Sequence, residues 1–284
     1  MARASFVLLG IVLGGGPPAV PRAVAPTGER TSLAAREGRV LVPAGAFLMG
    51  SSEQDLAEAA LLCVRDGVPE AACAEEQLQD ELPVHEVRLP AFRIDRTEVT
   101  NADYARCVRS GECRSPMQFP GDRRFDGERY PVVGVSWSDA AAFCRWTAGR
   151  LPTEAEWERA ARGLSARIFP WGRTWNPHLA NHGRFGIAPG DGGDGFRHTA
   201  PVGSYPDGAS ALGILDLAGN VWEWTTDWYE EYEPDPAAPS GHVYRAIRGG
   251  SWTSPAHHLR VTTREAAPPE YRSLEIGLRC AQDD

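Results

Sequence analysis

Several common signatures of chemistry are missing from this 284-residue chain. It has no G-x-S-x-G elbow, no P-loop and no dinucleotide fingerprint, so the usual marks of a serine hydrolase, an NTPase and a nicotinamide enzyme are absent. Its histidines form neither an H-x-x-H nor an H-E-x-x-H motif, and its six cysteines form no C-x-x-C pair, which makes zinc a poor reading. Positive charge is scarce as well. A formal net charge of -9 and a pI near 5.4 disfavour phosphate backbones and anionic lipid as partners, so neither nucleic acid nor a membrane surface is expected. No internal repeat is evident, and beyond the N-terminus no apolar run is long enough to span a bilayer.

What the chain does contain describes a packed globular protein. Hydrophobic residues make up 42%, charged residues 24%, and there are nine Trp, whereas a disordered chain is poor in aromatics. The length suits one large domain or two small ones. At the N-terminus, Arg3 precedes the apolar run FVLLGIVLGGG, and Ala23-Val24-Ala25 follows as an A-x-A cleavage pattern. The expectation is a signal peptide over 1–25, a linker over 26–38 and a domain over 39–284, with export to the periplasm or beyond. A buried first strand or helix is the alternative, weakened by the run GGGPPAVPRAVAPTG. No cysteine follows the apolar run to take a lipid, so the mature chain is expected to stay out of the membrane.

Cysteine usage agrees with an oxidising compartment. Six cysteines allow 15 pairings. Cys63 and Cys73 flank a turn-forming segment and Cys107 and Cys113 bracket another, so both local bridges are plausible, which leaves Cys144 with Cys280.

Along the chain, RVLVPAGAFLMGS alternates and closes on Gly-Ser, which predicts a strand and hairpin. EQDLAEAALLCV predicts a surface helix in an acidic segment running from Ser52 to Leu82. HEVRLPAFRID predicts two strands, and Thr100 or Asn101 caps the helix that follows. A Ser138 cap is expected to open a helix that Gly149 ends, and Thr153 with Glu156 reads as the capping box of another. Beyond Ile168 the chain turns to Gly, Pro, Asn, Asp and Trp, so its order must come from turns, bridges or ions.

The strings VPAGAFLMGS, IDRTEVTNADYARCV, PVVGVSWSDAAAFCRWTAGRLPTEAEWERAARG, FPWG, TAPVGSYPDGASALGILDLAGNVWEWTTDWY, RAIRGGSW and IGLRC occur in that order. Together they resemble the sulfatase-modifying-factor, or formylglycine-generating-enzyme, family over nearly the whole mature chain. The resemblance implies an α+β fold, an irregular variant related to the C-type lectins with little regular structure, together with bound calcium. It also implies the bridge from the AAFC helix to the closing GLRC strand, Cys144 with Cys280. Two calcium sites carry over by position. One takes the side chains of Asn181 and Asp194 with carbonyls of His182 and Phe196, and the other takes Asp216 and Glu223 with carbonyls of Gly219 and Val221. Read by itself, the GDGGDGF loop is a solvated turn, and Glu223 is a carboxylate paired with an arginine such as Arg248.

Catalytic members carry two cysteines just beyond RGGSW, which bind copper(I) as thiolates and with oxygen convert a sulfatase cysteine to formylglycine. Here Ser254 and Leu259 stand at those places, and no other cysteine lies near them in sequence. Neither a hydroxyl nor an isobutyl group holds copper(I) appreciably, so copper is not expected. Adjacent His257 and His258, read as extended chain, point apart and do not share a metal. Arg248, Ser251, Trp252 and Arg264 remain to shape the cleft, while Trp222 and Trp224 read as core. Two functions follow. The first is a monomeric, non-catalytic binding or assembly module holding a peptide, glycan or envelope protein. The second is a periplasmic oxidoreductase or other modifying enzyme working without the cysteine pair.

Overall fold

The alternating run near the start forms two strands that go to different partners. In the computed structural model, which describes residues 38–73, 75–117, 124–184, 193–232 and 241–284, these strands are β1 (Arg39–Val42) and β2 (Gly45–Met49). The expected hairpin is not made. α1 (Glu53–Arg65) follows, opened by a capping box between Ser52 and Asp55. β3 (His85–Leu89) then pairs antiparallel with β2, and β4 (Phe92–Asp95) pairs antiparallel with β1. Alternation fixes which residues face inward but says nothing of the neighbouring strand. Val42, Phe92 and Ile94 share one cluster with Trp157 and Ala281, and burying that common face joins β1 to β4 across some fifty residues of chain.

α2 (Asn101–Ser110) is capped by Thr100, whose hydroxyl accepts from the Asp103 amide, and ends at left-handed Gly111. α3 (Trp137–Trp146) begins two residues earlier than the sequence predicts. Its cap is Ser136, boxed with Asp139, while Ser138 already lies in the first turn. It also stops before Gly149, at Thr147, with Ala148 left-handed behind it. α4 (Glu154–Arg162) carries the Thr153–Glu156 box as expected. From there to β5 (Trp222–Trp228) the described residues form one short 3-10 turn, Pro206–Gly208, in keeping with the turn-rich composition. β6 (Arg245–Arg248), β7 (Arg264–Ala267), β8 (Ile276–Gly277) and β9 (Ala281–Asp283) complete the chain.

Among the described residues three sheets form, in the orders β1-β4-β9, β2-β3 and β7-β6-β5-β8. α2 and α3 pack against the four-stranded sheet through a cluster that includes Tyr104, Phe143, Trp224 and Ile247. All three expected disulfides are present: Cys63–Cys73, Cys107–Cys113 and Cys144–Cys280, the last inside that cluster. Among the described residues no helix is long and apolar enough to cross a membrane.

The chain contains no lysine, so all 29 of its basic residues are arginine. The interior uses their forked geometry. Arg264 donates two bonds to Glu154 at 2.9 and 2.7 Å, and Arg260 two to Glu81 at 2.8 and 2.6 Å. The 75–81 segment is thereby tied to the C-terminal part of the domain.

Candidate functional site

The segment after RGGSW turns sharply at Gly249 and Gly250, both at positive φ. A side chain at Gly250 would meet Leu259 Cδ2 at 2.5 Å and Ser254 Cβ at 3.4 Å. Ser254 and Leu259 therefore converge on one point, as two metal-binding side chains would have to. Their chemistry is different. Leu259 is fully buried with Phe169, Ala180 and Ala218, and the Ser254 hydroxyl accepts from the Ser251 amide at 2.9 Å. The six cysteines are all committed to disulfides, far along the chain from this turn.

Ser254 lines an open cleft of about 340 Å³ whose apolar wall includes Trp222, Ile247 and Ile276. Behind it runs a hydroxyl–carboxylate network. Thr253 and Ser251 both donate to Glu275 Oε2, at 2.8 and 3.2 Å, and their hydroxyls lie 2.9 Å apart. Residues 256–259 form a 3-10 turn, not the extended chain assumed from sequence. His257 is pinned to Asp66, which accepts from its amide at 3.0 Å and contacts its Nδ1 at 2.8 Å. His258 instead lines the cleft. Its rings and those of His257 are 4.3 Å apart rather than on opposite sides. Burial, and after it the charges of His257 and Arg260, lower the His258 pKa to about 4, so the imidazole is neutral at pH 7. Among the described residues no three His, Cys, Asp or Glu gather closely enough to hold a metal.

Four expected cleft residues are placed elsewhere. Arg248 is wholly buried, with its guanidinium on Glu158 and the carbonyls of Val261 and Thr262. Arg264 faces Glu154 on the opposite side of β7 from Glu265. Ser251 is buried behind the cleft, and Trp252 packs against Phe125 and His198 while donating to Leu274. An arginine beside a motif reads from sequence as a ligand contact, but strand alternation and the nearby α4 carboxylates turn these two inward. Trp224 is core, with its indole N–H on the Val135 carbonyl, while Trp222 is buried and also walls the cleft. Glu275 and Glu265 were not singled out, since a lone glutamate in a short strand or loop carries no pattern.

The residues expected to hold a first calcium lie together, although part of the GDGGDGF loop is outside the described residues. Asp194 accepts from the amides of His182 at 2.7 Å and Phe196 at 3.0 Å, which gathers all four named residues. The side-chain oxygen of Asn181 is buried without a hydrogen-bond partner in the protein, while its amide nitrogen donates to His198 and Asn220. A buried, unpaired amide oxygen beside a carboxylate fits a hard cation. The second set fits less well. Glu223 does not pair with Arg248, its neighbour across β5 and β6, but with Arg279, through bonds of 2.6 and 2.7 Å. Trp157 also donates to it, so both of its oxygens are engaged. Asp216 accepts from Gly203, and burial raises its pKa to about 6. Glu98, which sequence reading missed, is fully buried here and bonded to Asn220. Burial first, then the charges of Asp216 and Glu223, hold its pKa well above the carboxylate range. Three carboxylates thus face one guanidinium, an imbalance a cation would correct.

Both sets adjoin the cleft. Gly219 packs so closely on Asn181 that a Cβ would meet its carbonyl at 2.0 Å. Asn220 accepts from the Trp252 amide, and Ser254 accepts from the Gly183 amide.

Comparison with known proteins agrees with this architecture. The model of the sulfatase-modifying factor enzyme 1-like domain matches residues 24–284. The chain is 34% identical to the inactive C-alpha-formylglycine-generating enzyme 2 of Mus musculus, over 85% of this chain and 84% of that protein. It is also 34% identical to the formylglycine-generating enzyme of Streptomyces coelicolor, over 93% and 95% of the two. Among solved structures, that of PvdO from Pseudomonas aeruginosa is similar with a TM-score of 0.67 at 28% identity, covering 87% of this chain and 94% of that one. With the motifs, the fold and these matches in agreement, the chain belongs to the formylglycine-generating-enzyme, or sulfatase-modifying-factor, family.

Proposed function

We propose that this protein is an exported, non-catalytic binding or assembly module of its family, a monomer whose cleft holds a peptide, glycan or envelope-protein ligand. The observation that carries the reading is the turn around Gly250, where a buried leucine and a backbone-bonded serine converge. Neither group binds copper(I) or supplies sulfur. Three disulfides suit an oxidising compartment, hence the periplasm or the exterior. That a similar protein of Mus musculus bears the name of an inactive formylglycine-generating enzyme supports the non-catalytic part of this reading. The test incubates the protein with a C-x-P-x-R peptide, copper and oxygen and follows the peptide by mass spectrometry. No formylglycine is the expected result, and robust turnover would establish the modifying-enzyme reading instead. The paired change Ser254→Cys with Leu259→Cys is expected to gain stoichiometric copper(I), and either change alone is not, because one thiolate lacks its soft partner.

Calcium belongs to the same proposal. At the first set it would be held by the Asn181 and Asp194 side chains with the carbonyls of His182 and Phe196, and it would crosslink a region poor in regular structure. At the second, Asp216 and the carbonyls of Gly219 and Val221 would supply the oxygens and share Glu223 with Arg279. An ion that binds only the folded state stabilises it by mass action, about 2.7 kcal/mol at a hundredfold excess over Kd. Excess chelator is therefore expected to lower the melting temperature by several degrees relative to millimolar calcium. Identical melting in both, with no calcium found by elemental analysis, removes both sites.

A further inference from the structure

The cleft beside Ser254 has an unbalanced charge. Its lining includes Glu265 and Glu275 and no arginine. The arginines nearest in sequence are each turned onto other carboxylates: Arg264 to Glu154, Arg260 to Glu81 and Arg272 to Asp139. Among the described residues no guanidinium lines the cleft to neutralise its glutamates. Each glutamate also keeps an oxygen open. The Ser251 and Thr253 hydroxyls both go to Oε2 of Glu275, and the adjacent Ala266 amide goes to Oε1 of Glu265. Oε1 of Glu275 and Oε2 of Glu265 have no partner among the described residues, and neither has a ring nitrogen of His258 a hydrogen-bond partner there. Tyr271, half exposed, and Trp222 add aromatic rings to the same wall.

Two carboxylates, an imidazole that accepts and two rings make a site for a cation that brings its own hydrogen-bond donors. We infer that this cleft, with Glu265, Glu275 and His258 on its lining, binds a primary ammonium group carried on an alkyl stem, as on a lysine side chain of a partner. A compact ammonium has three donors and no acceptor, which suits a lining that offers carboxylates and no guanidinium. Its stem lies along the apolar wall of Trp222, Ile247 and Ile276. Because the chain has no lysine of its own, a second copy cannot supply such a side chain.

This inference rests on the binding-module reading and specifies what that cleft takes. The probes are the peptide acetyl-Gly-Lys-Gly-amide and the same peptide acetylated on its lysine nitrogen, titrated calorimetrically in millimolar calcium. The lysine peptide is expected to bind at least about tenfold more tightly, with affinity falling as salt rises. Glu265→Gln and Glu275→Gln are each expected to shrink that preference, with melting unchanged as the control for folding. Conservative His258→Gln keeps an acceptor and is expected to retain most of it. Equal affinity for the two peptides, or binding of neither, overturns the inference. Those outcomes differ from formylglycine formation, which would sink the non-catalytic reading and leave the ammonium preference standing.

Discussion

Replacing Cys144 and Cys280 together by alanine is expected to lower stability by about 5 kcal/mol on chain-entropy grounds. The bridge closes a sequence separation of 136, and it ties α3 to the residue that precedes β9 inside the main core. Cys107–Cys113 closes a separation of only 6, and the same reasoning gives about 2 kcal/mol for its removal. The contrast carries the test. In oxidised protein, urea unfolding of the two double-alanine variants should differ by about 3 kcal/mol, with the steeper slope in the variant that lacks the long bridge, whose unfolded chain is freer to expand. Both cysteines of the long bridge are completely buried, so the small voids left by alanine add to its cost. Equal losses in the two variants would mean that the unfolded chain is already held compact between residues 144 and 280.

The parts of this fold that could be read from sequence are those fixed within a few residues. Thr153 with Glu156, Thr100 with Asp103 and the two short disulfides each join near neighbours, so residue type and spacing contain the answer. The Ser138 cap failed at the same scale, because Ser136 has Asp139 at the boxed distance and competes better. Pairing over long distances was not legible. Nothing in RVLV names β4 as its partner, and nothing in RAIR says that Arg248 turns from Glu223 opposite to Glu158 on α4. The site divides in the same way. Ser254 and Leu259 could be marked by position relative to RGGSW, as could the four residues around Asp194. Glu98, Glu265, Glu275 and the cleft-facing His258 matter only through what the tertiary fold places beside them.

Arg279 carries the largest single-site effect expected at the second cation set. It is fully buried, forks onto both oxygens of Glu223 and donates further to the carbonyls of Asp95, Leu215 and Asp216. Burial works against the Arg279 charge, but Glu223 first, and then Glu98 and Asp216 in the same interior, raise the guanidinium's pKa. Arg279→Met keeps much of the stem but removes the one cation that, among the described residues, faces the three carboxylates. Breaking a buried pair from one side costs about 3–5 kcal/mol, because the abandoned charge has no water to solvate it. The double change Arg279→Met with Glu223→Gln is expected to be less destabilising than the single, since it removes the stranded charge. Calcium supplies the control. If an ion sits beside Asp216, millimolar calcium should recover more stability in the Arg279→Met protein than in the parent, as the ion takes over part of the missing positive charge. Urea unfolding of the four proteins, with chelator and with calcium, measures both effects. A single variant no worse than the double in chelator would mean that Glu223 is already neutral in the folded chain, and the pair with Arg279 would then be a hydrogen-bonded fork without a buried anion.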